Sequence, residues 1–329
     1  MSTSKARITA IGSYVPERVL TNFDLAKMVE TDDEWIVKRT GIKERRIADK
    51  EEFTSDLCVN AVRNLMKSSN KSIEDVDLII VCTITPDFHM PSVAATVQAK
   101  LGIRRTGVLD LNAACAGFTY GLHVANGMIT AGLHKKILVI GAETLSKITD
   151  YSDRTTCILF GDGAGAVLVE YDEENPSFLA YHLGSDGEGG SNLYSTNLSN
   201  RLGETELVDN GFIVQNGRQV YKWAVTTVTQ GIQTVMENSS MNLQDVDWFV
   251  PHSANLRMIE SICEKSDFPV NRTLSSLVDY GNTSAASIPL SLDKGVRDGK
   301  LQAGDTLLLY GFGGGLTHCG LLVRWGLDE

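Results

Sequence analysis

The chain has no hydrophobic run long enough to cross a bilayer. Its longest apolar stretches, 78–82 and 137–140, are strand-length, far short of the roughly 20 residues a membrane helix needs. Cysteine offers neither a metal site nor a disulfide framework. The six cysteines lie scattered at positions 58, 82, 115, 157, 263 and 319, with no CxxC and no Cys/His spacing of the kind that holds zinc. Lys5 and Arg7 precede only a short apolar run at 8–11, too short for a signal peptide, so reduced thiols and a cytoplasmic location are expected. Positive charge is in deficit, with 30 Lys and Arg against 41 Asp and Glu and a net charge of −11. That balance argues against a nucleic-acid partner. It leaves room for an acidic partner wherever basic residues gather locally. No segment is biased enough in composition to be disordered.

What is present fits a folded α/β protein. Hydrophobic content of 43% and charged content of 22% are ordinary, and 329 residues suffice for two domains or one duplicated one. Short β-rich runs alternate with helical periodicity. Strands are expected at 5–11, 78–83 and 108–111. Helices are expected at 22–29 with Asn22 as N-cap, at 55–66, at 93–101, and from about Cys115 through Met128. The chain also repeats itself. The run SIEDVDLIIV at 72–81 resembles NLQDVDWFVP at 242–251, and ILVIG at 137–141 resembles LLLYG at 307–311, both 170 positions apart. At an offset of 155, GAVLV at 165–169 meets GLLVR at 320–324. A period of this length implies duplication of a whole half, 1–172 and 173–329. The acidic turn at 171–176, with its proline, marks the boundary. The glycine-rich stretch from Gly184 to about Asn210 is expected to be a surface loop, a candidate lid.

Duplication brings corresponding strand ends to one axis, and the chemistry-bearing residues fall there. Cys115 follows a strand and opens an Ala/Gly-rich helix, where free N–H groups and the helix dipole favour thiolate. The bland alternative is a buried structural cysteine. His252 follows the strand at 248–250, at the carboxyl end where α/β proteins place their sites; a structural histidine is the alternative. Asn282 lies beside Ala285, onto which the offset of 170 carries Cys115; alone it would read as a helix N-cap. The glycines at 311–315 suit an oxyanion donor near Gly314, or a plain tight turn. GDGAG at 161–165 precedes a strand rather than a helix, so it fails as a dinucleotide loop and reads as close packing between the halves.

An ordered set of motifs spans the chain: TDDEWI at 31–36, RTGI at 39–42, AACAGFTY at 113–120, FGDGAG at 160–165, HSANLR at 252–257, GNTSAAS at 281–287 and FGGG at 312–315. Together they resemble the β-ketoacyl-acyl-carrier-protein synthase III family, the initiating condensing enzymes of bacterial fatty-acid synthesis. The resemblance implies the thiolase fold, with duplicated halves in a five-layered α-β-α-β-α sandwich, and a homodimer. It implies an acyltransferase needing no cofactor or metal, its substrates being a short acyl-CoA and malonyl-acyl-carrier protein. Cys115 would be acylated, His252 and Asn282 would bind the malonyl thioester carbonyl, and the N–H groups of Cys115 and Gly314 would hold the oxyanion.

The resemblance further implies that Trp35 and Arg154 sandwich the CoA adenine. Arg39 would meet the CoA phosphates, and Thr31 and Asn255 the nucleotide or pantetheine. Lys222 and Arg257, with Arg218 nearby, would receive the acidic carrier protein. Met90 and Phe312 would gate the acyl pocket. Met90 stands where some members carry phenylalanine, and flexible methionine suits branched primers such as isobutyryl-, isovaleryl- or 2-methylbutyryl-CoA alongside acetyl-CoA. Relatives on the same fold remain as alternatives. A hydroxymethylglutaryl-CoA synthase would need a glutamate base, for which Glu143 is the candidate. A polyketide-type paralogue would use a specialised starter. A non-catalytic carrier-protein partner would have lost the nucleophile.

Overall fold

The computed structural model describes residues 3–327. Two sheets dominate. The first contains β1 (Ala6–Tyr14), β2 (Leu78–Cys82), β3 (Gly107–Leu111), β4 (Lys136–Thr144) and β5 (Asp162–Tyr171), in the order β1-β5-β4-β2-β3. The second contains β6 (Phe178–Ser185), β7 (Trp248–Pro251), β8 (Thr306–Gly313) and β9 (Thr317–Arg324), in the order β7-β8-β9-β6. β2 and β4 pair in parallel with Leu78 opposite Ile137, and β7 and β8 pair in parallel with Trp248 opposite Leu307. Both partners are displaced by the same 170 positions, so the repeat read in the sequence is a repeat of register. A side chain repeats as well: Asp77 accepts the Lys136 N–H at 3.0 Å and Asp247 accepts the Thr306 N–H at 2.8 Å.

The last strand pair corrects the second offset. β5 places Ala166 opposite Ile140, and β9 places Gly320 opposite Tyr310. The true correspondence is therefore Ala166 with Gly320, one residue less than the alignment at 155. A one-residue slip exchanges the two faces of a strand, and only the observed pairing keeps Val167 and Leu321 together in the inner core. The fifth place of the second sheet holds only a single parallel bridge between Phe249 and Thr273.

Helices fill three layers around these sheets. α2 (Thr54–Ser69) and α3 (Val93–Leu101) cover the outside of the first sheet, packing Leu57, Leu65 and Val97 on Ile79, Val81 and Ile140. α4 (Gly117–Thr130) and α7 (Ser287–Arg297) lie between the sheets, with Phe118, Leu122, Ile288 and Leu292 against Ile80, Val139, Leu307 and Leu309. α5 (Gly217–Ser239) and α6 (Leu256–Ser266) cover the outside of the second sheet, packing Ile232 and Ile259 on Leu308 and Tyr310. Alternate strand residues thus face opposite helical layers. That is why these strands read as unbroken apolar runs rather than as an alternation. Truncating a central residue such as Phe118 would cost about 3–5 kcal/mol. Among the described residues no helix is long and apolar enough to cross a membrane.

Three local expectations change. The helix at 22–29 is one turn, Asn22–Leu25, and its N-cap is Thr21, which forms a capping box with Asp24. Asn22 is instead buried, holding the Arg45 guanidinium at 2.8 Å. Gly184 belongs to β6, opposite His318, so the loop begins after it. It carries a 3-10 turn at Gly187–Asn192 and short ladders rather than open coil.

Candidate active site

Each half supplies one copy of the same turn, and the site forms where the copies meet. After β3, the Asn112 side chain accepts the Ala114 N–H at 3.3 Å, a 3-10 turn runs over Ala114–Ala116, and α4 begins at Gly117. In the second half the Asn282 side chain accepts the Ser284 N–H at 2.9 Å, a 3-10 turn runs over Ser284–Ala286, and α7 begins at Ser287. Ala114 and Ser284 both adopt positive φ, +44° and +48°, a conformation rare for residues with a Cβ. Two glycines let the turns descend onto the opposite sheet. A Cβ on Gly141 would lie 2.3 Å from the Ala285 carbonyl oxygen, and one on Gly311 would lie 2.8 Å from Ala116 Cα. The glycines at 161–165 serve similar contacts: a Cβ on Gly161 would lie 2.3 Å from the Tyr280 carbonyl oxygen, and one on Gly165 would lie 2.5 Å from Pro289.

A cavity of about 1560 Å³ opens over this junction, lined by Cys115, His252, Asn282, Phe312 and Gly314 among others. Cys115 is 8% exposed. Burial pushes its thiol up to about 11, against the opposing pull of the Ser284 hydroxyl and the Gly314 and Cys115 N–H groups. This corrects the expectation of a ready thiolate: the Gly314 and Cys115 N–H groups do act on the sulfur, but desolvation outweighs them. Asn282 uses its side-chain oxygen on Ser284, which assigns the amide NH₂ to the other side, where the residue lines the cavity. His252 is buried, its N–H bonded to the Tyr310 carbonyl at 2.8 Å and its ring edge-on to Phe312 at 5.3 Å. Burial lowers its imidazole to about 3, so the ring is neutral.

Glu143 sits behind this group. Its carboxylate accepts from Thr85 Oγ1 at 2.7 Å, Thr83 Oγ1 at 3.0 Å and the Ile84 N–H at 3.1 Å. Burial pushes it up to about 7. It is absent from the cavity wall, and its lone pairs hold the 83–85 segment, which suits a structural clamp better than a base acting on substrate. Ser284 went unnoticed in the sequence. Its hydroxyl is buried and bears on both Cys115 and Glu143, without a well-directed hydrogen bond to either. The signal was available, since Ser284 lies 170 positions from Ala114.

Of the expected nucleotide residues, Thr31, Trp35, Arg39 and Arg154 lie off the cavity wall. α1 (Asp33–Thr40) carries Trp35 and Arg39, and the Arg39 guanidinium lies 4.5 Å from the indole centroid. Arg154 lies 5.0 Å from the same ring and donates to the Glu30 carbonyl at 2.8 Å. A planar ring stacked between two others needs roughly 7 Å between its neighbours, so Arg154 must swing aside to admit one. Thr31 Oγ1 is buried without a partner. Asn255 caps α6 through the Met258 N–H and also lines the cavity. α1 and α6 are joined by the Arg257 bond to the Lys38 carbonyl at 2.9 Å.

Arg218 and Lys222 are exposed one turn apart on α5, and Arg257 is exposed on α6. The two helices are linked by Tyr221 and Ser261 at 2.6 Å. Met90 is 87% exposed on the loop after β2 yet also lines the cavity, whereas Phe312 is buried in its wall.

Residues 109–187 match the family described as 3-oxoacyl-[acyl-carrier-protein (ACP)] synthase III, and residues 236–325 match its C-terminal part. The chain is 67% identical over 325 residues to beta-ketoacyl-[acyl-carrier-protein] synthase III 2 of Halalkalibacterium halodurans, covering 99% of this chain and 98% of that protein. It is 59% identical to the protein of the same name from Bacillus subtilis, covering 98% and 100%. The crystal structure of the Thermus thermophilus synthase III superposes with a TM-score of 0.93 at 43% identity, covering 97% and 99%. The duplicated sheets, the paired turns and these likenesses agree: the chain has the thiolase fold and belongs to the β-ketoacyl-acyl-carrier-protein synthase III family of condensing acyltransferases.

Proposed function

We propose that the protein joins a short acyl group from acyl-CoA to malonyl-acyl-carrier protein through an acyl-Cys115 intermediate, initiating fatty-acid synthesis. The observation that carries this reading is the meeting of a buried cysteine, a neutral histidine and an asparagine amide in one cavity of a chain of this family. Cys115 sulfur attacks the thioester carbonyl, the CoA sulfur leaves, and the thiol proton ends on it, so the exchange needs no net base. The N–H groups of Cys115 and Gly314 hold the oxyanion.

Malonyl-carrier protein then enters. His252 and Asn282 donate to its thioester carbonyl while the bond to the carboxylate breaks. CO₂ leaves, and the electron pair remains as an enolate. That carbon attacks the acyl carbonyl, Cys115 sulfur departs and is reprotonated, and 3-oxoacyl-carrier protein is released. Neutral donors suit this step, and losing one typically costs ~10²–10³ in rate. No cofactor enters the scheme.

In the same reading the two halves are 1–172 and 173–329. Trp35 and Arg154 take the adenine, Arg39 the phosphates, and Thr31 and Asn255 the nucleotide or pantetheine. Lys222, Arg257 and Arg218 receive the carrier protein, whose association would weaken with salt. Met90 and Phe312 bound the acyl pocket, with branched primers accepted beside acetyl-CoA. The protein acts as a cytoplasmic homodimer, for which the exposure of Phe88 (56%) and Met90 (87%) on one loop is the support.

The test is intact-protein mass after mixing with acetyl-, isobutyryl-, isovaleryl- and octanoyl-CoA in competition. A single adduct is expected that Cys115→Ala abolishes and malonyl-carrier protein discharges. Failure to form an adduct with any of them would overturn the reading.

A further inference from the structure

Ser287 is the first residue of α7, and its Oγ lies 2.7 Å from His252 Nδ1, with both side chains buried. The remaining bonds of this hydroxyl decide which partner donates. The Ser253 N–H, which cannot reverse its role, donates to Ser287 Oγ at 3.3 Å. The oxygen is thus already an acceptor, and its one proton needs a destination. Among the described residues the only acceptor offered to it is His252 Nδ1. Had the ring carried its proton on Nδ1, the serine proton would be left buried without a partner, at the full desolvation penalty of that group.

We propose that Ser287 is a positioning residue that fixes His252 in the tautomer with its proton on Nε2, so that the ring offers the cavity a donor rather than a lone pair. The inference rests on the functional reading above, in which His252 donates to the malonyl thioester carbonyl. It explains how a neutral histidine acts dependably as a donor: a neutral ring has one N–H, and a free choice of tautomer would spend part of its population with an acceptor aimed at developing negative charge. The duplication shows the same specialisation. The position corresponding to Ser287 in the first half is Gly117, which begins α4 and has no hydroxyl. The Ser276 hydroxyl donates to the Ser287 carbonyl at 3.2 Å, fixing the start of α7 on which the hydroxyl rides.

The test uses the full-length protein with ¹⁵N-labelled histidine, the His252 signals being identified by their loss in His252→Gln. At neutral pH the unsubstituted protein should show a protonated Nε2 and a bare Nδ1. Ser287→Ala should mix the two tautomers, and Ser287→Thr, which keeps the hydroxyl, should restore the single form. Alongside, Ser287→Ala should slow CO₂ release from malonyl-carrier protein by roughly tenfold or more. Acylation of Cys115 by acyl-CoA should change less than about twofold in the same sample, showing that the variant is folded, and Ser287→Thr should recover most of the decarboxylation. A proton on Nδ1 in the unsubstituted protein would overturn the proposal. So would an equal effect of Ser287→Ala on both half-reactions, or an effect on neither. If the unsubstituted protein itself released no CO₂, the functional reading would fail, and the tautomer signals would still decide the role of Ser287.

Discussion

Gly313 lies so close to Cys115 that a Cβ on the glycine would sit 2.7 Å from the cysteine Cβ and 2.9 Å from its sulfur. The last residue of β8 is therefore the wall against which the nucleophile is held. Gly313→Ala must push the sulfur or the turn at Ala114–Ala116 aside, and a misplacement near 1 Å can cost about 10²-fold in rate. At Gly314 the nearest atoms to an added Cβ are 3.4 Å away, so Gly314→Ala should lower acylation much less, by under about tenfold. Rates of acyl-enzyme formation by quenched-flow mass spectrometry compare the two. Equal effects would mean that the contact at Gly313 is not what seats the sulfur.

The thiol of Cys115, pushed up to about 11 by burial, is neutral in the free protein. Its reaction with a small electrophile should follow the thiolate fraction. Iodoacetamide labelling at Cys115 should therefore accelerate about tenfold per pH unit from 7 to 10. A plateau reached below pH 8 would show instead that the N–H groups around the turn overcome burial.

How much of this was legible beforehand follows from what each feature depends on. The repeat at 170 positions foretold the shared register of the two parallel strand pairs, because register follows the hydrophobic pattern of each strand. It also placed Asn282 beside the counterpart of Cys115, since the two turns occupy equivalent places in the repeat. The alignment at 155 missed by one residue: runs of glycine, alanine and valine look alike when slid, and only the ladder between β8 and β9 resolves them. The thiol shift was hidden because residues distant in sequence, Gly313 among them, close on the sulfur. The pairing of Ser287 with His252 joins residues 35 apart in sequence, and neither segment carries a mark of the other.

Trp35 has a guanidinium at 4.5 Å and another at 5.0 Å. If the indole stacks on an adenine, its loss removes about 1–3 kcal/mol of base stacking. Trp35→Ala should raise KM for acyl-CoA roughly 5- to 150-fold while leaving kcat little changed, because the nucleotide lies far from the reacting carbonyl. An acyl-pantetheine, which lacks the nucleotide, should be used equally well by both proteins. Equal losses with both substrates would place Trp35 in the packing of α1 rather than against the nucleotide.

Glu143 gives the fold a pH dependence of defined sign. Its ordinary value is near 4.5, and in the folded chain burial raises it to about 7 despite the Thr85, Ile84 and Thr83 donors. The folded state therefore holds the proton more tightly than the unfolded chain. Between these two values the unfolded chain carries fewer protons, and stability falls as pH rises. The contribution is complete below about pH 4.5 and gone above about pH 7. The size follows from about 1.4 kcal/mol per unit, or about 3 kcal/mol in all. Glu143→Gln cannot titrate but keeps an acceptor for the threonine hydroxyls and the Ile84 N–H. Urea unfolding of both proteins at pH 5, 6.5 and 8 isolates the effect, because every other titrating group, His252 included, is common to them. The variant should gain on the parent by roughly 2–3 kcal/mol between pH 5 and 8. Parallel stability curves would mean that the three donors already hold Glu143 ionised at pH 5, with burial contributing little.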